Sequence, residues 1–240
     1  MAIDEYLLEQ QILGAVPTLR FYGFNPPTVT IGLSQAMSDD VIARIKARGF
    51  DVVRRPTGGR AVLHYKDLTY SFLACETGKG DYGILAQSVS AAYKQICKGL
   101  QLGLNELGIN AELGSSETAY RHLADCFLAS TNADLQIGGK KLAGSAQLRR
   151  RGAVLQHGSI PLNLDQGLML ELLEGRTETT ETDQNAEIRH ANLYDALGRA
   201  PALEELTKSF KKGFADAFKV QLFEIPLTEA ELSAVRKPTE

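Results

Sequence analysis

Cysteine is scarce in this chain, and a basic excess and long apolar runs are missing altogether. The three cysteines, Cys75, Cys97 and Cys126, are an odd number without Cys-x-x-Cys spacing. That argues against a disulfide framework or a structural metal site and for a reducing, cytoplasmic setting. Lys and Arg number 26 against 29 Asp and Glu, a formal charge of −3, which is the wrong sign for a general nucleic-acid binder. No apolar stretch approaches ~18 residues, so no membrane span is expected. Met1–Glu5 lacks the charged-then-apolar pattern of a leader, and repeats and low-complexity tracts are absent. The remainder is ordinary for a globular protein, and 240 residues suffice to bury a substantial core.

Apolar periodicity predicts a helix from Asp4 to Leu13, strands over 18–23 and 28–32 separated by Asn25-Pro26-Pro27, and a Ser38-capped helix ending at Gly49. A short strand over 51–55 runs into Pro56-Thr57-Gly58-Gly59. Segments 61–64 and 68–74 read as paired strands, and 81–107 as the longest helix. Strands follow over 133–137, 141–148 and 153–162, then an amphipathic helix over 203–218, a strand over 220–225 and a helix opened by Thr228. The acidic, threonine-rich stretch 176–185 reads as a linker or loop. This order does not alternate strand and helix regularly, so a mixed α/β sheet protein is expected rather than a doubly wound one. Residues 1–200 are expected to form the catalytic domain, with 201–240 a helical extension of it.

Several clusters carry chemistry. In Arg54-Arg55-Pro56-Thr57-Gly58-Gly59-Arg60 the paired glycines allow backbone N–H groups to approach a ligand, and the arginines suit a phosphate or carboxylate; a plain turn is the alternative. Lys141 precedes Leu142-Ala143-Gly144-Ser145-Ala146-Gln147, small residues that permit close approach by a backbone or a ligand. Lys140 reads as solvated. His64, with Asp67 nearby, and His157 are candidate proton shuttles or rings bonded to backbone carbonyls, whereas His122 and His190 suggest nothing. Arg149-Arg150-Arg151 with Lys140 and Lys141 form a cationic run, either a solvated turn or a patch that steers an acidic partner. Cys75 and Cys97 read as small core residues. Cys126, beside Asp125 and fifteen residues before Lys141, reads either as an inert buried cysteine or, where the lysine ammonium comes close enough to favour the thiolate, as a nucleophile.

Together these segments resemble the lipoate–protein ligase A and octanoyltransferase family. The likeness runs through Met1–Glu5, Pro17–Gly23, Pro27–Gly32, Arg54–His64, Lys141–Gln147 and Leu155–Ile160. It implies a biotin/lipoate-ligase-like α/β fold that passes a medium-chain acyl group to a lysine of a lipoyl domain. Cys126 before the lysine motif, Gly59-Arg60-Ala61 in place of a third glycine, the absence of an Asp-x-Gly-Asn segment after His64, and Gln156-His157-Gly158 in place of a double histidine all resemble the cysteine-type (LipM-type) octanoyltransferases. The short C-terminal region also lacks room for a ligase accessory domain. The resemblance further implies a strand ahead of the first helix, so the chain is expected to be truncated or to lack an edge strand.

On that resemblance, Cys126 and Lys141 are catalytic. Arg55, Thr57, Gly58, Gly59, Arg60, His64, Gly144, Ser145, Ala146, His157 and Gly158 bind the acyl group. The donor is the phosphopantetheine thioester of acyl carrier protein, without cofactor or metal, and the acceptors are lipoyl proteins such as the glycine-cleavage H protein or E2 subunits. The acyl chain is expected in an apolar groove between the Arg55–Arg60 turn and the strand at Val62–Leu63. The alternatives are an ATP-dependent lipoate–protein ligase, an amidotransferase between lipoyl domains, and a non-catalytic carrier-binding module.

Overall fold

The computed structural model describes residues 1–79, 81–114, 134–163, 166–175 and 190–236. Cys126, His122 and the stretch expected as a linker over 176–185 lie outside them.

Two sheets organise the described residues. The larger joins β1 (Thr18–Tyr22), β5 (Asp67–Glu76), β10 (Ala153–Pro161), β9 (Lys140–Arg150), β8 (Leu135–Ile137) and β7 (Glu112–Leu113) in that spatial order, with β6 (Gly83–Leu85) beside β5. All of its pairings are antiparallel except β5 with β6. The smaller places β2 (Thr28–Ile31) between β3 (Asp51–Arg54), parallel to it, and β4 (Val62–His64), antiparallel to it. The expected mixed α/β architecture is what forms.

Side chains alternate across the central strands because the strand period is two. On β5, Tyr70, Phe72 and Ala74 join Val154 of β10 on one face. That face is covered by α3 (Val89–Glu106) and a later helix (Leu203–Phe218), through Leu100, Leu104, Phe210 and Phe214. Phe72 stacks on Phe214 and Phe218 at ring distances of 5.5 and 4.9 Å. Leu73 and Cys75 turn the other way, with Leu155, onto Leu7 and Leu8 of α1 (Ala2–Ile12). The two covering helices cross at glycines: a Cβ on Gly213 would sit 2.2 Å from the Gly103 amide nitrogen, so only hydrogen fits there.

The small sheet has its own core. Val29, Ile31 and Ala61 pack with Ile45 of α2 (Asp39–Ala47) and with Leu168, Met169 and Leu172 of α4 (Gln166–Glu174). Arg44 on α2 donates to the carbonyls of Leu172 and Leu173 at 3.0 and 3.2 Å, satisfying acceptors at the end of α4 that helix geometry leaves open. The remaining described helices are α5 (Leu193–Leu197), α6, the Leu203–Phe218 helix already described, and α7 (Glu229–Arg236). No helix of the described residues is long and apolar enough to cross a membrane.

Three expectations are corrected. Segments 61–64 and 68–74 do not pair with each other: β4 joins β2, and β5 joins β1 and β10. The chain turns between the two sheets at Tyr65-Lys66, where Lys66 adopts a φ of 55°. The long helix begins at Val89, capped by the Ser88 side chain, because Gly83–Leu85 pairs with β5 instead. Residues 220–225 form no strand. Their apolar alternation is real, but Phe223 and Ile225 remain exposed and no partner strand lies alongside among the described residues.

The aromatic seam between α6 and the sheet sets a clear expectation. Phe210 is fully buried and stacks on Phe21 at 5.8 Å. Phe210→Ala should cost roughly 3–5 kcal/mol in urea denaturation, the range for deleting a buried aromatic ring.

Candidate functional site

The site forms where the small sheet meets the large one. The small sheet contributes Thr30 on β2, His64 on β4 and the Arg55–Arg60 turn between β3 and β4. The large sheet contributes Thr69 on β5, Gly144–Ala146 on β9 and His157–Ser159 on β10. A cleft with about 340 Å³ of empty space, open to solvent, lies between them. Its walls include Val62, Ala146, Gly144 and Gly158 as small or apolar surfaces and Arg55, His64 and His157 as polar ones.

Gly158 is required by packing. A Cβ there would come within 2.5 Å of the Gly144 carbonyl oxygen and of Ser145 Oγ, so β9 and β10 could not keep their present approach. Gly59 has a φ of 94°, and a Cβ on it would meet the Arg55 guanidinium at 2.8 Å. Gly58 has open space around it. Of the glycine pair, Gly59 therefore fixes the turn.

Arg54 and Arg55 both direct their guanidinium groups at backbone carbonyls. Arg55 is buried and donates to the carbonyls of Gly58 at 3.2 and 2.9 Å, Arg60 at 2.6 Å and Thr30 at 3.1 Å. Arg54 Nη1 donates to the carbonyls of Gly32, Leu33 and Gln35. These guanidinium forks staple loops by saturating backbone acceptors, and Arg55 thereby becomes part of the cleft wall.

Both histidines lie in chains of the same composition. His157 Nδ1 is 3.3 Å from Asp4 Oδ2, and its Nε2 is 2.6 Å from Thr57 Oγ1. His64 Nδ1 is 2.8 Å from Asp67 Oδ2, and its Nε2 is 3.0 Å from Thr30 Oγ1. The sequence offered backbone carbonyls as the ring partners; side chains take that place. Asp67 also accepts from Thr69 at 3.1 Å and Ser159 at 2.7 Å. Asp4, with no solvent exposure, also accepts from Arg20 and from Tyr22 Oη at 2.8 Å.

Electrostatics fix the state of His157. Burial lowers its proton affinity below the ordinary imidazole value; Asp4 opposes this, while Arg55 and His64 reinforce it. The neutral ring therefore donates from Nδ1 to the carboxylate and accepts the Thr57 hydroxyl at Nε2. Burial alone would raise the Asp4 carboxyl. The hydrogen bond from His157, the charge of Arg20 and the Tyr22 hydroxyl outweigh it and hold the group at about 2.

Lys141 is not solvated. It is buried on β9, three residues before Gly144, with Nζ 3.1 Å from Asp134 Oδ2. Lys140 is exposed. Sequence reasoning missed Asp134, and it dismissed His190, which is buried and forms a parallel bridge with Lys141. Asp4 was also missed as a site residue, although an acid in an otherwise amphipathic helix was a visible signal. The cationic run divides: Lys140 and Arg150 are at opposite ends of β9, roughly 33 Å apart at the rise of a strand. Arg149 pairs with Glu76, and Arg150 with Glu9, each at 2.5 Å. A single cationic patch is therefore not formed. Cys75 and Cys97 are buried free thiols, and burial is the main reason that both hold their protons more tightly than usual.

Residues 1–215 match the lipoyl protein ligase A/B catalytic domain family. An octanoyltransferase LipM of Symbiobacterium thermophilum is 40% identical over 96% of this chain and 86% of its own length. That of Brevibacillus brevis is 38% identical over 97% and 87%. Among solved structures, a lipoate–protein ligase A bound with ATP superimposes with a TM-score of 0.74 at 26% identity, covering 98% of this chain and 86% of the other. A bipartite lipoate protein ligase of Thermoplasma acidophilum, solved in work that included its E2 lipoyl domain, gives 0.74 at 24% identity, over 98% and 84%, a likeness of fold. The lipoate-ligase-like architecture expected from the sequence is the one observed.

The buried acid–histidine pair makes stability depend on pH. The unfolded chain protonates His157 more readily than the folded one, so stability is complete above about pH 6.5 and declines below it. A second loss follows as pH falls from 3.8 toward about 2, where folded Asp4 takes its proton. Urea midpoints measured across this range should fall in both windows, and an Asp4→Asn, His157→Gln double variant should flatten the profile. Gly59→Ala, which forces a positive φ on a side chain, should cost more than ~1 kcal/mol in the same assay.

Proposed function

The chain belongs to the lipoyl protein ligase A/B catalytic domain family, and from that premise we propose that it is an octanoyltransferase of lipoate biosynthesis, passing an octanoyl group to a lysine of a lipoyl domain. The observation that carries this reading is the near full-length similarity to LipM octanoyltransferases at 35–40% identity. The ATP-dependent ligase alternative is not favoured, because the likeness to ligases rests on fold at lower identity.

The proposed route runs through Cys126. Its thiolate attacks the carbonyl carbon of an octanoyl thioester on acyl carrier protein. The phosphopantetheine sulfur leaves and takes up a proton, and the octanoyl group stays on Cys126 as a new thioester. The ε-amine of a lipoyl-domain lysine then attacks that carbonyl, loses a proton, and releases the Cys126 thiolate. No redox change occurs. Lys141 supplies a fixed positive charge for the developing oxyanion and the thiolate. The acyl chain occupies the cleft, against Val62, Ala146 and the neutral His157 ring. A ring whose nitrogens are both engaged presents no unsatisfied donor to a hydrocarbon, so the wall tolerates apolar contact. The H protein of glycine cleavage and E2 subunits are the expected acceptors, and the cytoplasm the compartment.

Intact mass after incubation with octanoyl carrier protein should show one octanoyl adduct, and initial rates should follow ping-pong kinetics. Cys126→Ala should abolish adduct and turnover. Turnover in that variant, or no adduct on the wild type, would refute the thioester route.

A further inference from the structure

We propose that Asp134 is the positioning residue for Lys141, fixing the head of that side chain on the strand that carries Gly144–Ala146 into the cleft; the role deepens the transferase reading and rests on it.

The main chain of Lys141 is held from both sides. It pairs with Gln136 on β8 and bridges to His190 on the other flank, where its carbonyl accepts from the Ala191 amide at 2.8 Å. A four-carbon stem would still let the ammonium wander. Asp134 closes that freedom: its Oδ2 is 3.1 Å from Nζ, and each side chain is only 4% exposed. The carbonyl of Asp134 is in turn anchored by the Gly114 amide at 2.8 Å.

A buried ion pair is a poor choice for stability alone. Desolvating each ion costs several kcal/mol, and well-packed apolar residues of the same volume often serve as well or better. The placement of this pair indicates a use. Tyr70 on β5, and Tyr93 and Cys97 on α3, feel the negative charge of Asp134. Burial first, with that charge adding to it, raises all three, so they stay neutral. Tyr70 Oη lies 2.7 Å from Ser145 Oγ, and Tyr93 Oη donates to the Ser145 carbonyl at 3.3 Å. Ser145 lines the cleft. Two of these groups thus bond the cleft wall directly. His190, the backbone neighbour of Lys141 across that bridge, is itself buried.

A carboxylate that holds a buried amine in place has a measurable signature. Competitive acetic anhydride labelling of Lys141 at one fixed pH, read by peptide mass, should run about tenfold faster or more in Asp134→Asn than in the wild type, because the amine is no longer held, whereas Asp134→Glu should stay near the wild type. With octanoyl carrier protein and a lipoyl domain, Asp134→Asn should lower kcat ~100-fold or more with KM for the carrier protein within about twofold, as expected for a misplaced reacting group. Asp134→Glu, which keeps the charge but displaces it, should lose part of kcat. An unchanged labelling rate in Asp134→Asn overturns the proposal. If that variant does not fold, wild-type kcat in Asp134→Glu overturns it instead. The labelling arm needs no turnover, so a wild type that labels as expected but transfers nothing would sink the transferase reading and leave the Asp134–Lys141 coupling standing.

Discussion

A carboxylate without solvent must find all of its partners inside the protein, and the cleft is assembled around one that does. Asp4 comes from the first helix, Arg20 and Tyr22 from the first strand, and His157 from the centre of the large sheet. Losing any one would leave charge or lone pairs buried without compensation, a larger cost than the net value of the bond itself. The helix is therefore held against the sheet at a definite place, and His157 passes the constraint on to Thr57 and the glycine turn. What looks like a pocket of separately useful residues is one connected set, anchored at a point remote in sequence from most of its members.

The second chain, Asp67 to His64 to Thr30, repeats the chemistry with different geometry. Its acid and its ring are three residues apart, across the corner where the backbone leaves the small sheet. Asp4 and His157 are joined only by the fold. Each imidazole is used as a two-ended connector between an anion and a hydroxyl, and its hydrogen bonds define which nitrogen carries the proton. Arg55 complements both by filling the space between them with donors directed at backbone carbonyls.

Local signals carried much of the fold. Alternation identified β5 and β10, and helical spacing identified the helix over 203–218, because burial on one face leaves that imprint directly. Pairing was not legible: nothing local tells Val62–His64 to join β2 when β5 follows after two residues. Residues 220–225 show the converse, with a strand-like alternation that lacks a neighbour to bond. At the site, Gly59, His64 and His157 could be picked out by type. The partners Asp4, Thr30 and Thr57, which define the roles of the histidines, and Asp134, which meets Lys141, could not be assigned, since side-chain contacts set by the fold leave no periodic trace. Arg149 misled for a related reason: a cation in sequence reads as exposed charge until Glu76 appears beside it.

The corner at Tyr65-Lys66 has a mechanical consequence. Only two residues connect β4 to β5, Leu162 donates its amide to the Lys66 carbonyl at 2.9 Å, and the His64–Asp67 contact braces the same bend from within. The two walls of the cleft are thus welded along one edge and cannot part there like a hinge. In the transfer proposed for this cleft, an acyl chain would therefore enter from the open side, with the opposite edge of the frame held fast.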